Sequence, residues 1–320
     1  MRPLLLTALL MAPDLSSAVK IEKAAYAGWP NCYRMSNGEV ELIITTDVGP
    51  RVIRFGFAGG QNLFKEYQEQ LGKSGEPDWQ PRGGHRLWVG PEAVPMSYAP
   101  DNVPVKAVAV GDSLSLTEPL EKETGFQKTM IVKLAPAGAA VDVMHQIRNA
   151  NSSAKTIVSW ALTMMAQGGI AVTEFPPRGT HPQMLQPTNP LVMWAYTNFS
   201  DPRWKFTEKY LALKQDPHAK APVKAGLWNR HTWQAYLLGS DLFIKSTAAV
   251  KGPEAYPDMG CSLETFTNAD FLEIETLSPL ETVPPQGTIG HTEHWTLHQN
   301  VRMTEWTDAE IDRVIRSKVR

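Results

Sequence analysis

The sequence has few of the features that would assign it to several common classes of protein. Only two cysteines, Cys32 and Cys261, occur in 320 residues, and they form no C-x-x-C pair, so the sequence offers no zinc ribbon. Lysine and arginine number 31 against 33 acidic residues, which argues against nucleic acid as a partner because phosphate binding needs clustered positive charge. After the N-terminus no apolar run reaches the about 20 residues of a transmembrane helix, so no membrane partner is expected.

Local signatures of nucleotide and hydrolase chemistry are also missing. Neither G-x-G-x-x-G nor G-x-x-x-x-G-K-[ST] follows a predicted strand, and no G-x-S-x-G elbow occurs. We therefore expect no bound cofactor. The two cysteines could form one disulfide across a very long loop or remain separate buried thiols, and the sequence leaves both open.

The N-terminus has the order of a secretory signal peptide. Arg2 precedes an apolar stretch at residues 4–12, and Ser16 and Ala18 are small residues at a plausible cleavage site. The alternative is a buried N-terminal element. We predict a signal peptide at residues 1–18, a single β-sandwich domain at residues 19–320, and a periplasmic or secreted location.

Strand patterns recur along nearly the whole chain. Residues 39–45 alternate, and similar runs occur at 105–116, 141–147, 157–162, 233–245, 271–277 and 292–297, separated by many of the 25 prolines and 23 glycines. The best helix signal is C-terminal, where Thr307 and Glu310 have capping-box spacing before an apolar repeat, and we expect that helix to pack on a sheet edge. Residues 173–224 predict a long excursion that could shape a binding site. The fold class is therefore all-β with a short C-terminal helix.

The densest cluster of chemically useful side chains lies at residues 81–92, P-R-G-G-H-R-L-W-V-G-P-E. Two glycines allow a tight turn before His85, which can exchange a proton near neutral pH. Arg86 can bind oxygens and Trp88 can stack on a sugar ring. A glycine turn with a structural histidine and a salt-bridged arginine is the alternative.

A second cluster follows at residues 261–276. Alternation places Glu273 and Glu275 on one face of a strand, about 7 Å apart. A solvent-facing pair would be ordinary, whereas a pair inside a cleft would be an acid–base candidate because crowding raises one pKa.

Three histidines near the C-terminus, His291, His294 and His298, resemble a metal site only superficially. On a strand His294 and His298 share a face but lie about 13 Å apart, and His291 lies on the other face. This spacing cannot form a local chelate, so we predict no metal. His294 is expected to pair with an acidic neighbour.

Several of these segments resemble the galactose mutarotase-like (aldose 1-epimerase-like) superfamily. Residues 37–44 (N-G-E-V-E-L-I-I) and 49–53 (G-P-R-V-I) are similar to its opening strands, and G-G-H-R-L-W is similar to its histidine-bearing loop. The segment from L-E-I-E-T at 272–276 to residue 297 is similar to its closing strands. The resemblance covers about residues 30–300 in strand order, within a branch to which no reaction is assigned.

The resemblance implies a β-supersandwich with a concave sugar-binding face, and a sugar or glycan as partner. It also implies roles: Glu275 matches the base that acts on the anomeric hydroxyl, and His85 matches the first acid. The sequence departs from the epimerases at a second histidine, because the strand at 157–165 has none and His145 lies in the preceding strand.

Three functions follow as alternatives. In an epimerase-like isomerase, Glu275 and His85 would be catalytic, and Arg86, Glu92 and Glu264 would hold hydroxyls. A carbohydrate-binding protein without turnover would use the same cleft with Trp88 and Trp228. A glycan lyase or hydrolase is the third, with Tyr98 as a base and Arg86 as the carboxylate neutraliser. The position of His85 relative to Glu275 discriminates the first alternative from the others.

Overall fold

Two large antiparallel sheets make up most of the molecule, as seen in a computed structural model that describes residues 19–188 and 191–319. In chain order the strands of these residues are β1 (Lys20–Tyr26), β2 (Trp29–Ser36), β3 (Val40–Thr45), β4 (Arg51–Phe57), β5 (His85–Gly90), β6 (Lys106–Val110), β7 (Ser113–Thr117), β8 (Phe126–Leu134), β9 (Ala140–Asn149), β10 (Lys155–Met165), β11 (Ile170–Glu174), β12 (Leu191–Met193), β13 (Trp204–Phe206), β14 (Tyr210–Lys214), β15 (Val223–Leu227), β16 (His231–Leu238), β17 (Asp241–Ala248), β18 (Leu263–Thr267), β19 (Leu272–Leu277), β20 (Glu281–Val283) and β21 (Thr288–His298).

The two sheets are interleaved in sequence. Sheet one has the order β1-β2-β3-β4-β5-β10-β19-β18-β15-β12, with β20 paired to β10. Sheet two has the order β13-β14-β11-β16-β17-β21-β9-β8-β7-β6. Three strands that carry predicted functional side chains, β5, β18 and β19, lie in sheet one, where the order is β5-β10-β19-β18. The predicted all-β sandwich is confirmed.

The space between the sheets is filled by the apolar face of each strand. In β3, Val40, Leu42 and Ile44 are fully buried there, as the alternation predicts. Four rings meet at the centre, with every pair of ring centroids 5.5–6.2 Å apart: Phe55, Phe64, Phe243 and Trp295. Burial of this kind supplies most of the stabilisation of a sandwich.

The C-terminal helix has the predicted start but a different position. Helix α1 spans Asp308–Val314, and the Thr307 side chain accepts a hydrogen bond from the backbone N–H of Glu310. Ile311 and Val314 pack with Trp233 on the outer face of sheet two, so the helix covers a face and not an edge. Short 3₁₀ turns occur at Gln68–Gln70, Pro253–Ala255 and Arg316–Lys318.

Further sequence-based expectations have different outcomes. Cys32 and Cys261 are separate buried thiols. Among residues 19–188 and 191–319, no helix is long and apolar enough to cross a membrane. The signal peptide at residues 1–18 lies outside the described residues, so export remains a prediction.

Candidate functional site

A cavity of about 540 Å³ opens on the face of sheet one that is turned away from sheet two. Its size is within the range of small-molecule sites. Its walls carry aromatic rings from sheet one and from the loops around it: Tyr67, Trp79, Trp88, Tyr98, Trp160, Tyr196, Phe266 and Phe271. The excursion at residues 173–224 contributes Tyr196 and Lys220, so it does help to shape the cavity.

Arg86 and Trp88 of β5 lie on the cavity side of the strand. The Arg86 guanidinium carbon lies 4.6 Å from the centroid of the Trp88 ring and 5.4 Å from that of Trp79. Its Nη1 forms an ion pair of 3.0 Å with Glu273, and both side chains are buried. Because the guanidinium is stacked and paired, it is held as a rigid part of the cavity floor.

Lys224 of β15 organises the other half of the floor. Its Nζ lies 2.6 Å from Glu264 Oε2 and 3.1 Å from Glu275 Oε2, and all three side chains are buried. The indole N–H of Trp160 donates to the same Glu275 oxygen at 2.9 Å. The Lys224 ammonium also lies 4.7 Å from the Trp160 ring centroid and 4.8 Å from that of Trp194.

The electrostatics of this floor follow from burial and pairing. Burial raises the pKa of Glu264 well above its usual value, and it also raises the pKa of Glu273, although Lys224 and Arg86 oppose the change. Burial alone would lower the pKa of Lys224, but the charges of Glu264 and Glu275 outweigh it and hold that pKa well above its usual value. Three positive and three negative side chains line the cavity: Arg86, Lys220, Lys224, Glu92, Asp270 and Glu273. The lining is therefore formally neutral.

The structure contradicts the predicted pairing of His85 with Glu275 over one cavity. His85 begins β5, and alternation turns its side chain between the sheets while Arg86 faces the cavity. Its Nδ1 lies 2.9 Å from Thr163 Oγ1 and its Nε2 lies 2.7 Å from His145 Nε2. His85 is fully buried there and cannot protonate a ligand in the cavity.

Glu92, Glu264 and Trp228 have three different surroundings. Glu92 is an exposed residue of the cavity lining and accepts a hydrogen bond from the Tyr98 hydroxyl. Glu264 lies beneath the floor, paired with Lys224. The structure does not bring Trp228 to this cavity: it is outside the cavity lining, and its indole N–H donates to the backbone carbonyl of Lys251.

Tyr98 lies in the cavity as the lyase alternative requires, but its chemistry does not suit a base. Burial raises its pKa, and the hydrogen bond to Glu92 raises it further. A tyrosine that is harder to ionise than usual is a poor proton acceptor.

One group in the described part of the chain has the composition of a metal site. Nitrogen or oxygen atoms of His85, His145 and Glu293 lie within 4.8 Å of one another. The His85 and His145 Nε2 atoms are 2.7 Å apart, shorter than the about 3.3 Å between two nitrogens bound to one tetrahedral zinc. Lys245 Nζ already lies 2.8 Å from Glu293. The geometry is that of a hydrogen-bonded network, and the prediction of no metal stays a prediction.

The histidines of β21 are placed as expected. His294 is exposed and its Nδ1 lies 2.6 Å from Asp142, which confirms the predicted acidic partner. His291 is on the opposite face and is buried between the sheets.

The G-G turn before β5 is fixed by its surroundings. Gly83 and Gly84 have φ values of +91° and +71°. A Cβ on Gly84 would lie 2.4 Å from the carbonyl oxygen of Val52. Arg51, from the G-P-R-V-I segment, donates to the carbonyl oxygens of Pro81 and Gly83 at 3.0 and 2.5 Å and pairs with Asp101 at 2.7 Å. The turn therefore sets the position of the strand that carries Arg86.

Gly84→Ala is expected to lower the free energy of unfolding by about 2–3 kcal/mol, because the left-handed backbone is strained by a Cβ that also meets Val52. Gly111→Ala is the matched control, since Gly111 has φ +59° and open space around the new Cβ, and about 1 kcal/mol is expected there. Urea denaturation measures both. Equal losses would show that the close approach to Val52 contributes nothing.

Comparison with known proteins gives similarity in structure but not in sequence. No family model matches the chain, and no curated protein matches it. A candidate aldose 1-epimerase from Klebsiella pneumoniae superposes with a TM-score of 0.57 and 11% identity, covering 94% of this chain and 87% of that one. A galactose mutarotase-like protein from Lactobacillus casei gives 0.55 and 10%, covering 84% of this chain and all of the other.

A third similar structure belongs to a longer protein. A TPR-domain containing protein from Parabacteroides distasonis gives a TM-score of 0.56 and 15% identity, over 88% of this chain and 50% of that one. At these identities the likeness concerns the fold: this chain has the galactose mutarotase-like fold.

Proposed function

We propose, from the galactose mutarotase-like fold of this chain and the cavity on its sheet one, that the protein binds a neutral sugar or sugar derivative there. The observation that carries the proposal is the combination of aromatic walls, a formally neutral lining, and two floor cations, Arg86 and Lys224, that are already paired with carboxylates. Sugar rings stack on aromatic faces, and their hydroxyls bond to side chains that are fixed in advance.

The charge pattern selects among sugars. Arg86 and Lys224 are each held by carboxylates, so an anionic ligand would have to compete with Glu273, Glu264 and Glu275 for them. A cationic ligand would meet the same two buried cations. A neutral ligand disturbs neither ion pair, and we expect neutral mono- and disaccharides to bind in preference to uronic acids and amino sugars.

Trp79→Ala is expected to weaken binding of a neutral sugar at least about tenfold, because it removes one stacking wall. Trp228→Ala is the matched control, since Trp228 is half-buried outside the cavity lining, and no change is expected. Isothermal titration calorimetry measures both, after a thermal-shift screen of neutral, acidic and amino sugars has selected the ligand. Saturable binding to none of the neutral sugars, or the same loss in both variants, would refute the proposal.

A second candidate function is isomerisation of the bound sugar, and one observation favours it. Glu273 lines the cavity with a raised pKa, and Glu275 follows on the same strand face. Glu273 could then donate a proton and Glu275 could accept one, which replaces the acid role predicted for His85. Anomeric exchange measured by NMR separates the two functions. Loss of exchange in Glu275→Gln with retained sugar binding supports turnover, and no exchange in the unmodified protein leaves binding alone.

A further inference from the structure

A second cluster of polar side chains, five of them ionisable, lies directly behind the cavity floor, between the sheets, and the proposed function makes no use of it. All seven side chains are buried, at most 8% exposed. Three come from sheet one and four from sheet two: His85, Thr163 and Thr276, then His145, Lys245, His291 and Glu293.

One end of this interior network is fixed by an ammonium group. Lys245 Nζ donates to the carbonyl oxygen of Ala161 at 3.1 Å, to Thr163 Oγ1 at 3.2 Å and to Glu293 Oε1 at 2.8 Å. These contacts use all three of its protons. Thr163 accepts from Lys245, so its own hydroxyl proton is available for Nδ1 of His85, 2.9 Å away.

The other end is fixed by a carbonyl group. His145 Nδ1 lies 3.1 Å from the backbone oxygen of His291, which can only accept, so His145 carries its proton on Nδ1. A neutral His145 then presents a bare Nε2 to His85, and His85 must donate from its own Nε2 across 2.7 Å. With both rings neutral, this is the arrangement that satisfies every bond.

The side branch of the network is directional as well. Glu293 accepts from Lys245 and Thr276 on one oxygen and from the Trp295 indole N–H on the other. Thr276 therefore accepts from His291 Nε2 at 2.7 Å. Lys245 holds the pKa of Glu293 below its usual value against the effect of burial, which keeps the carboxylate charged.

An additional proton cannot be added to this hydrogen-bonded network without breaking one of its bonds. If His145 became charged, its Nε2–H would face the Nε2–H of His85 across 2.7 Å. If His85 became charged, its Nδ1–H would face the Thr163 hydroxyl, whose proton would then have no acceptor. Burial lowers the pKa of both rings. The negative charge of Glu293 opposes this change, whereas the positive charge of Lys245 lowers both pKa values further, and that of Arg86 lowers the pKa of His85. Uptake of a further proton therefore requires one of these hydrogen bonds to break.

Strand alternation connects this network to the cavity. His85 is followed by Arg86, Thr276 is preceded by Glu275, and Thr163 lies between Leu162 and Met164, both of which line the cavity. We propose that His85 and His145 are positioning residues: their single shared proton locks the cavity floor to sheet two, and uptake of a second proton releases it. This inference rests on the proposed function only in treating the cavity as the binding site.

The test measures the protonation of the network and the response of the cavity floor without any ligand. Its outcome therefore does not depend on whether the cavity binds a sugar. Side-chain ¹H–¹⁵N spectra at pH 7.5 are expected to show His145 protonated on Nδ1 and His85 on Nε2, both neutral. Below pH 6.5, the Met164 methyl signal is expected to shift in step with protonation of this pair. In His145→Gln the amide oxygen still accepts from His85, but residue 145 can no longer titrate and only His85 is left to take up a proton. The Met164 shift should therefore be lost or move to lower pH.

Three results would overturn the proposal. One is a charged His145, or its Nε2-protonated tautomer, at pH 7.5, which needs no variant to measure. Another is an identical Met164 pH profile in the unmodified protein and in His145→Gln. The shift would then come from titration of the cavity carboxyl groups, which both proteins contain. The third is a stoichiometric metal ion in the purified protein that His145→Gln loses. His294 is an exposed histidine of β21, so His294→Gln is the control and should leave the Met164 profile unchanged.

Discussion

Replacing Lys245 with methionine is expected to lower the free energy of unfolding by about 3–5 kcal/mol. The lysine is fully buried between the sheets and lies 2.8 Å from Glu293, which is fully buried too. Without the ammonium group, Glu293 must remain as an uncompensated charge in the interior or take up a proton. Urea denaturation near neutral pH measures the loss.

The double variant Lys245→Met/Glu293→Gln separates the charge from the packing. A neutral amide can still accept from the Trp295 indole N–H at the position of the Glu293 oxygen, 2.8 Å away, and no buried charge remains. We therefore expect the double variant to be more stable than Lys245→Met alone. Lys209→Met is the surface control: Lys209 pairs with Asp312 at 2.6 Å but both are exposed, and a much smaller loss is expected. A loss in Lys245→Met no larger than in Lys209→Met would contradict the prediction.

Local patterns were sufficient to predict most of the fold. The alternation of Val40, Leu42 and Ile44 describes a strand with one core face, and the structure buries all three. The spacing of Thr307 and Glu310 gave the start of α1 correctly. The face on which α1 packs depends on contacts with distant residues such as Trp233, which no local pattern contains.

The candidate site was predicted in part for the same reason. Alternation placed Glu273 and Glu275 on one face, and both are at the cavity floor or just beneath it. Residues 85–90 form a strand and not a loop, so His85 and Arg86 had to point to opposite faces. Applied to this segment, the alternation rule would have separated His85 from the cavity.

Two further site residues were missed because their signal is weak. Lys224 lies in a short apolar strand, V-K-A-G-L, where a lysine between apolar neighbours is the sign of a paired buried charge. Trp79 lies in a loop without periodicity, and its contact with Arg86 comes from the tertiary structure. The contacts of Lys224 and Trp79 therefore cannot be predicted from the residues that neighbour them in sequence.

Lys224→Met is expected to have an effect as large as that of Lys245→Met, but with a marked dependence on pH. It leaves Glu264 and Glu275 buried beneath the cavity without the cation that lies 2.6 and 3.1 Å from them, at an expected cost of about 3–5 kcal/mol near pH 7.5. Burial already raises the pKa of Glu264, and losing the lysine's charge raises it further.

The sign of the pH dependence follows from that raised pKa. Between the folded pKa of Glu264 and its unfolded value, the folded state binds more protons than the unfolded state, so lowering the pH stabilises the fold. The folded pKa of Glu264 is lower in the unmodified protein than in the variant, so between these two values only the variant gains this stabilisation. As the pH falls through that interval, the deficit of Lys224→Met should shrink by up to about 1.4 kcal/mol per pH unit, for the Glu264 carboxyl group alone. The double variant Lys224→Met/Glu264→Gln should lose that part of the dependence.

Lys220→Met provides the control within the same cavity. Lys220 lines it but is exposed, and its replacement should change the free energy of unfolding by no more than about 0.5 kcal/mol at any pH in this range. A deficit of Lys224→Met that stays constant from pH 7.5 to 5 would mean that Glu264 is already neutral in the unmodified protein. Lys224 would then be paired with Glu275 alone, and a cationic ligand would be disfavoured more strongly than an anionic one.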